Sequence, residues 1–184
     1  VDPEHEGARD DEEPSRGESV ERPFRTIGAA LDRAKELARE TGEPVQVRLA
    51  PGVYQEAVRV PSRVMIVNHR MPAEGDFVGR LRWLMAQQDV DAQDRVTILA
   101  PAEAEQAVLF LPGNTQGLFG CHVVAREATE QVGVAATRCD GVLVANCSIE
   151  GFCRGGARIA HCGSDLSVGG IQFLGCRFQS NRQS

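Results

Sequence analysis

"DGVLVANCSIEGF" at residues 140–152 and "GGIQFLGCRFQSN" at residues 169–181 align without a gap, 29 residues apart. Gly141 matches Gly170, Val142 matches Ile171, Cys147 matches Cys176 and Ile149 matches Phe178. A shorter third copy, "QGLFGCHVVA" at 116–125, places Cys121 and Val123 26 residues before Cys147 and Ile149. A repeat of short strands and turns with a period of about 20–30 residues marks a β-solenoid. One turn of chain makes about three short parallel strands, and each turn stacks about 4.8 Å from the last. Equivalent side chains then pile into ladders. Cys121, Cys147 and Cys176 are expected to form one, reduced and pointing inward at a turn, flanked by Val123, Ile149 and Phe178.

The rest of the chain fits that plan. Strand-like segments occur at 95–100, 106–112, 117–125, 132–138, 141–151, 157–162 and 170–180. Upstream, "VQVRLA" alternates apolar and polar residues, a Pro-Gly turn follows, and "VYQEAVRV" and "RVMIVN" read as the next two strands. Before them, Ile27, Ala30, Leu31, Ala34, Leu37 and Ala38 recur at the spacing of one helix face. Thr26 is placed as the N-cap, Gly42 as the C′ glycine and Pro44 just beyond, so a helix is predicted over Ile27–Thr41. Residues 69–94 break the strand rhythm. Phe77, Leu81, Leu84 and Met85 have helical spacing and Asp76 can cap them, which predicts an inserted helix near Phe77–Gln88 carrying Trp83. It reads as a flap over one side of the body, or as a lid or partner-binding platform.

With these elements in place, "F-x-T-I-x-x-A-L" (Phe24 to Leu31) followed by "P-G-V-Y-x-E-x-V-x-V" (Pro51 to Val60) resembles the start of right-handed parallel β-helix proteins of the pectin methylesterase and pectate lyase type. "GVLVANCSIEGF" is similar to that family's strand-turn stretch ending in Gly-Tyr or Gly-Phe. The likeness covers residues 23–68 and 130–180. It implies an all-β, right-handed parallel β-helix with an N-terminal capping α-helix and a helical insertion, residues 21–184 forming one domain.

The family's catalytic motifs are not matched. In pectin methylesterases the Gly-Tyr/Phe turn leads into Gln-Asp-Thr-Leu, whose Asp is the general acid/base; here Phe152 is followed by Cys153, Arg154, Gly155 and Gly156. The motif carrying the nucleophilic Asp has no counterpart, and Asp165 is the nearest carboxylate. Ester hydrolysis of that kind needs two carboxylates converging on one groove. The calcium cluster of pectate lyases needs several Asp residues, whereas Asp94, Asp140 and Asp165 are few and scattered. No catalytic residue is therefore assigned, and no cofactor. Tyr54 and Glu56 are read as structural, sharing a strand face with Val58 and Val60 under the capping helix.

Charge bounds the partners. The net charge of -6 resides in residues 1–20, which hold eight acids against Arg9 and Arg16. That head reads as a disordered segment or linker. The remainder is balanced, without the basic stripe a nucleic-acid partner requires. No apolar run approaches the about 18 residues of a membrane helix. The chain opens on Val1 without a signal peptide, consistent with a processed product or a piece of a longer protein. Cysteines read as reduced lean towards the cytoplasm. A metal set of Cys121, His122, Cys147 and Cys176 is opposed by strand alternation, which turns His122 away from Cys121.

The functional expectation is a non-catalytic β-helix module: a scaffold, assembly unit or recognition surface that self-associates or meets a protein partner through its C-terminal coil. The alternative is a divergent carbohydrate-active protein in which Arg154, Arg158, His161 and Asp165 hold an acidic polysaccharide.

Overall fold

A computed structural model describes residues 1–10, 23–73, 75–86, 94–125, 130–162 and 170–179. The first helix, α1 (Ile27–Thr41), is followed by β1 (Val45–Leu49), β2 (Gly52–Tyr54), β3 (Val58–Val60) and β4 (Val64–Asn68). After α2 (Phe77–Ala86) come β5 (Val96–Ala100), β6 (Gln106–Phe110), β7 (Gly113–Phe119), β8 (Cys121–Ala125) and β9 (Val132–Thr137). The described chain closes with β10 (Cys139–Ala145), β11 (Ser148–Glu150), β12 (Ala157–Ala160), β13 (Ile171–Leu174) and β14 (Arg177–Gln179).

These strands form three sheets, ordered β1-β4-β7-β10-β13, β2-β5-β8-β11-β14 and β3-β6-β9-β12. Every pairing within them is parallel. The chain visits the three sheets in turn and returns to the first one neighbour further along. The fold is thus an all-β parallel solenoid. Its core is a set of ladders running from coil to coil. In the first sheet Val47, Ile66, Leu118, Val144 and Phe173 stack in register. In the second, Tyr54, Ile98, Val123, Ile149 and Phe178 do so. In the third, Val60, Phe110, Ala136 and Ile159 follow. Parallel register places like on like, and burying apolar area at about 25 cal/mol per Å² makes each ladder cohesive.

Four of the expected strands divide. "VYQEAVRV" is not one strand: it divides into β2 and β3, which belong to different sheets, with a bend at 55–57. The segments 117–125, 141–151 and 170–180 likewise divide, each at the residue before its cysteine. Gly120, Asn146 and Gly175 take left-handed φ values of 67°, 50° and 60° there, and Arg138 and His161 take 56° and 52° before Cys139 and Cys162. An αL residue turns the strand sharply; glycine and asparagine reach that region at little cost, while arginine and histidine bear more of it. Each following Sγ lies 3.3–3.7 Å from the carbonyl two residues back, of Phe119, Thr137, Ala145, Ala160 and Leu174, and Cys139, Cys147 and Cys176 also approach Leu111 O, Leu118 O and Val144 O of the neighbouring coil. The unit is therefore a corner made of an αL residue and a thiol packed against a carbonyl; Ala145 O, Ala160 O and Leu174 O also accept from Gly120 N, Arg138 N and Asn146 N of the adjacent coil. Five of the six cysteines serve it, including Cys139 and Cys162 at a corner the repeat alignment had not placed.

Helix α1 spans the predicted residues. Its buried face of Ile27, Ala30, Leu31 and Ala34 joins one cluster with Leu49, Tyr54, Val58 and Val60 of the first coil, so it closes that end of the core. Its first amides are fully occupied. Asp10 Oδ1 accepts from Arg25 N and Thr26 N at 2.9 and 3.0 Å. Glu56 accepts from Ile27 N at 2.7 Å and Gly28 N at 2.8 Å, and Thr26 Oγ1 from Ala29 N at 3.3 Å. These bonds fill donors that have no partner within a helix, and the carboxylates oppose the positive end of its dipole. Residues 1–10 lie against the same end: Val1 O accepts from Ala50 N, and Arg9 bridges Phe24. The remainder of the acidic head, 11–20, lies outside the described residues.

Helix α2 is a second layer on the outer face of the first sheet. Leu84 clusters there with Val67, Met71, Phe119 and Ala145, with Leu81 and Trp83 packed alongside. Asn146 Nδ2 donates to Leu84 O at 2.9 Å, so one αL corner also anchors the helix. Asp76 Oδ1 caps the helix by accepting from Gly79 N. Residues 87 and 88, which the sequence reading added to it, lie outside the described set. Among the described residues no helix is long and apolar enough to cross a membrane.

Candidate functional site

Tyr54 and Glu56 are occupied by the fold. Tyr54 is buried, and its hydroxyl donates to Val1 O and Ala50 O at 3.1 and 2.9 Å. Burial pushes its phenol well above the ordinary value. Glu56 sits in the bend after β2, where both carboxylate oxygens hold α1. Replacing Glu56 by alanine is expected to cost about 2 kcal/mol, because two helix amides lose their acceptors. Burial, the largest influence, raises the Glu56 carboxyl above its ordinary 4.5, the Ile27 and Gly28 amides pull it down, and Asp10 adds to the rise. A raised carboxyl means the folded state holds the proton more tightly. Its stabilisation is full below the unfolded value and declines as pH rises through the folded one. Urea melts of the wild type and Glu56→Gln across that window should show their difference shrinking with rising pH; a growing difference contradicts the assignment.

Cys121, Cys139 and Cys147 are held as protonated donors, whereas the hydrogen bond from Cys147 lowers the Cys176 thiol to about 7. Burial pushes the Cys121 thiol up to about 12 and raises Cys139 and Cys147 as well. A thiol so protonated is a poor nucleophile and a poor ligand. Cys121 and Cys147 face the core while His122 faces out, so the metal set suggested by the sequence does not converge. Among the described residues no group of three or more His, Cys, Asp or Glu side chains is arranged to hold a metal ion.

Of the four residues singled out for an acidic sugar, three are described. Arg154 lies in the bend before β12 and faces Glu130 at 3.7 Å, both side chains well exposed. Arg158 is exposed on β12, the last strand of its sheet, and pairs in register with Ala135. His161 occupies the αL corner after β12. Arg154 precedes that strand and His161 follows it, and no hydrogen bond or ion pair connects the three. Asp165 lies outside the described residues.

Two features went unnoticed in the sequence. On the outer face of the second sheet His122 Nε2 lies 3.2 Å from Glu150 Oε2, with Thr97 and Ser148 as the register neighbours of His122. The repeat contains the signal: matching Cys121 with Cys147 sets His122 opposite Ser148 and one step from Glu150. The other feature is a cleft of about 460 Å³ between the last turns of α1 and two successive corners of the solenoid. Lys35 and Arg39 line it from the helix, and Ser62, Arg63 and Asn114 from the corners. Its walls come from segments up to 79 residues apart in sequence (35 to 114), so no local motif announces it.

No protein-family model, curated protein or solved structure matches this chain. The all-parallel stacked sheets are compatible with a parallel β-helix.

Proposed function

We propose that this protein is a right-handed parallel β-helix module of the pectin-lyase-like type that acts without catalysis, as a scaffold whose last coil docks a second copy of the chain. The observation that carries this reading is the state of that coil. Ile159, Leu174 and Phe178 are 48%, 38% and 46% exposed, and Phe178 and Ile159 are rungs of ladders that are wholly buried one coil earlier. Among the described residues β12, β13 and β14 each have a single neighbour, and such strand edges favour pairing. The opposite end is covered by α1 and residues 1–10. Tail-to-tail contact uses the same patch twice and closes as a two-fold dimer.

The polar outer face of the second sheet supports the non-catalytic part. His122 and Glu150 form a base with an orienting carboxylate, but they sit on β8 and β11, whose backbone amides are committed to neighbours on both sides. An acyl-transfer site needs free donors where charge develops. Light scattering on the full chain should give a dimer, and Phe178→Asp a monomer of unchanged circular dichroism. A wild type that stays monomeric at high concentration overturns the docking. Turnover of uronic-acid polymers that Asp165→Ala abolishes overturns the scaffold.

A further inference from the structure

We propose that the cleft between α1 and the adjoining corners binds a small organic phosphate. It lies by the capped end of the solenoid and is independent of the dimer contact. The first argument is charge. The lining contains Lys35, Arg39 and Arg63 and no carboxylate. Lys35 and Arg39 stand one helical turn apart and form no ion pair among the described residues. Glu36, within reach of Arg39 at i+3, pairs with Arg33 instead at 3.5 Å. Three cations concentrated in a concavity are a local positive excess on a body whose charges balance outside residues 1–20. They favour a doubly charged group over a single carboxylate, which would leave most of the charge unbalanced.

The second argument is preorganisation. Arg63 Nη1 donates to the Gly42 carbonyl at 2.8 Å, which fixes this guanidinium at the helix end. Asn114 N donates to Ser62 Oγ at 3.1 Å, and Ser62 Oγ donates back to Asn114 O at 3.2 Å. A Cβ on Gly113 would come within 2.4 Å of Ser62 Cβ, so the two corners are pressed together. The Asn114 Nδ2 group donates no hydrogen bond among the described residues and remains available to a ligand oxygen. The third argument is shape. The cleft falls within the about 300–1,000 Å³ common for small-molecule sites. Its floor includes Pro61 and Leu111, apolar surface suited to a ring carrying the phosphate.

The test is an amide-resolved NMR titration of the full chain with inorganic phosphate, sulfate and glucose 6-phosphate, at low and at high salt. The expected result is saturable shifts confined to residues 35–39, 61–63 and 111–114, weakened by salt, with the sugar phosphate tightest. The variant Lys35→Ala/Arg39→Ala changes two exposed helix positions and should keep the wild-type melting temperature while losing at least about tenfold in affinity. No saturable shift, shifts centred elsewhere, or a double variant that titrates like the wild type overturns the site. Equal binding of phosphate, sulfate and glucose 6-phosphate reduces it to an adventitious ion only, which also overturns the proposal.

Discussion

Phe152→Ala is expected to lower the unfolding free energy by about 3–5 kcal/mol. Phe152 ends the "EGF" turn of the 140–152 repeat, and its ring is fully buried in the main core cluster. It closes the corner between the second and third sheets, with Gly133 of the neighbouring coil directly against it. Alanine there removes the transfer energy of the ring and leaves a cavity that flanking strands, held by their own ladders, cannot collapse into. Urea denaturation measures the loss through the midpoint at constant slope. A loss below about 1 kcal/mol means that the corner is loosely packed and that the Gly-Phe signature has no core role.

Gly133→Ala is expected to cost about 3 kcal/mol, the upper part of the range for overpacking. The cause is space, since Gly133 does not have a positive φ. A Cβ built on it would lie 2.5 Å from Ile149 Cγ2, 2.7 Å from the Gly156 carbonyl and 3.0 Å from Phe152 Cδ2. The Ile149 part of the clash can be removed by trimming. The double variant Gly133→Ala/Ile149→Ala should therefore cost less than the sum of the two single changes, by about 0.5–3 kcal/mol. The Gly156 carbonyl is backbone and stays, so rescue is partial. Strict additivity, or a Gly133→Ala within about 0.5 kcal/mol of the wild type, removes the basis for the close approach.

Legibility followed the range of the forces involved. The α1 boundaries were readable because caps and helical spacing are local: Thr26, Gly42 and the apolar face lie within one segment. The solenoid was readable because parallel stacking repeats a local pattern, so Cys121, Cys147 and Cys176 appear at nearly constant intervals. The turn at Cys121, Cys147 and Cys176 was readable from the repeat, but the division of each strand there was not, for a subtler reason. A strand running straight through Asn146 and one bending there share the same alternation on either side, and only the φ at that residue separates them. Gly, Asn and Gly before three of the cysteines carry the signal; Arg138 conceals it, because arginine seldom takes αL, and the Arg138 and His161 corners lie outside the aligned repeat. Glu56 was rightly read as structural but assigned the wrong task, since its helix amide partners lie 28 and 29 residues earlier.

By itself the sequence determined a stacked parallel coil, a helix at its start, a helical insertion and inward-facing cysteines, because each depends on spacing along the chain. Only the tertiary structure decided that the thiols serve the corners, that His122 meets Glu150, that α2 covers the first sheet and that Lys35 and Arg39 share a cleft with Arg63. Those relations depend on which coil lies beside which, at a separation of about 4.8 Å that no single segment encodes. The apolar rungs on the last coil belong to both accounts: alternation points Phe178 inward, and the absence of a described neighbour beyond it leaves the ring exposed.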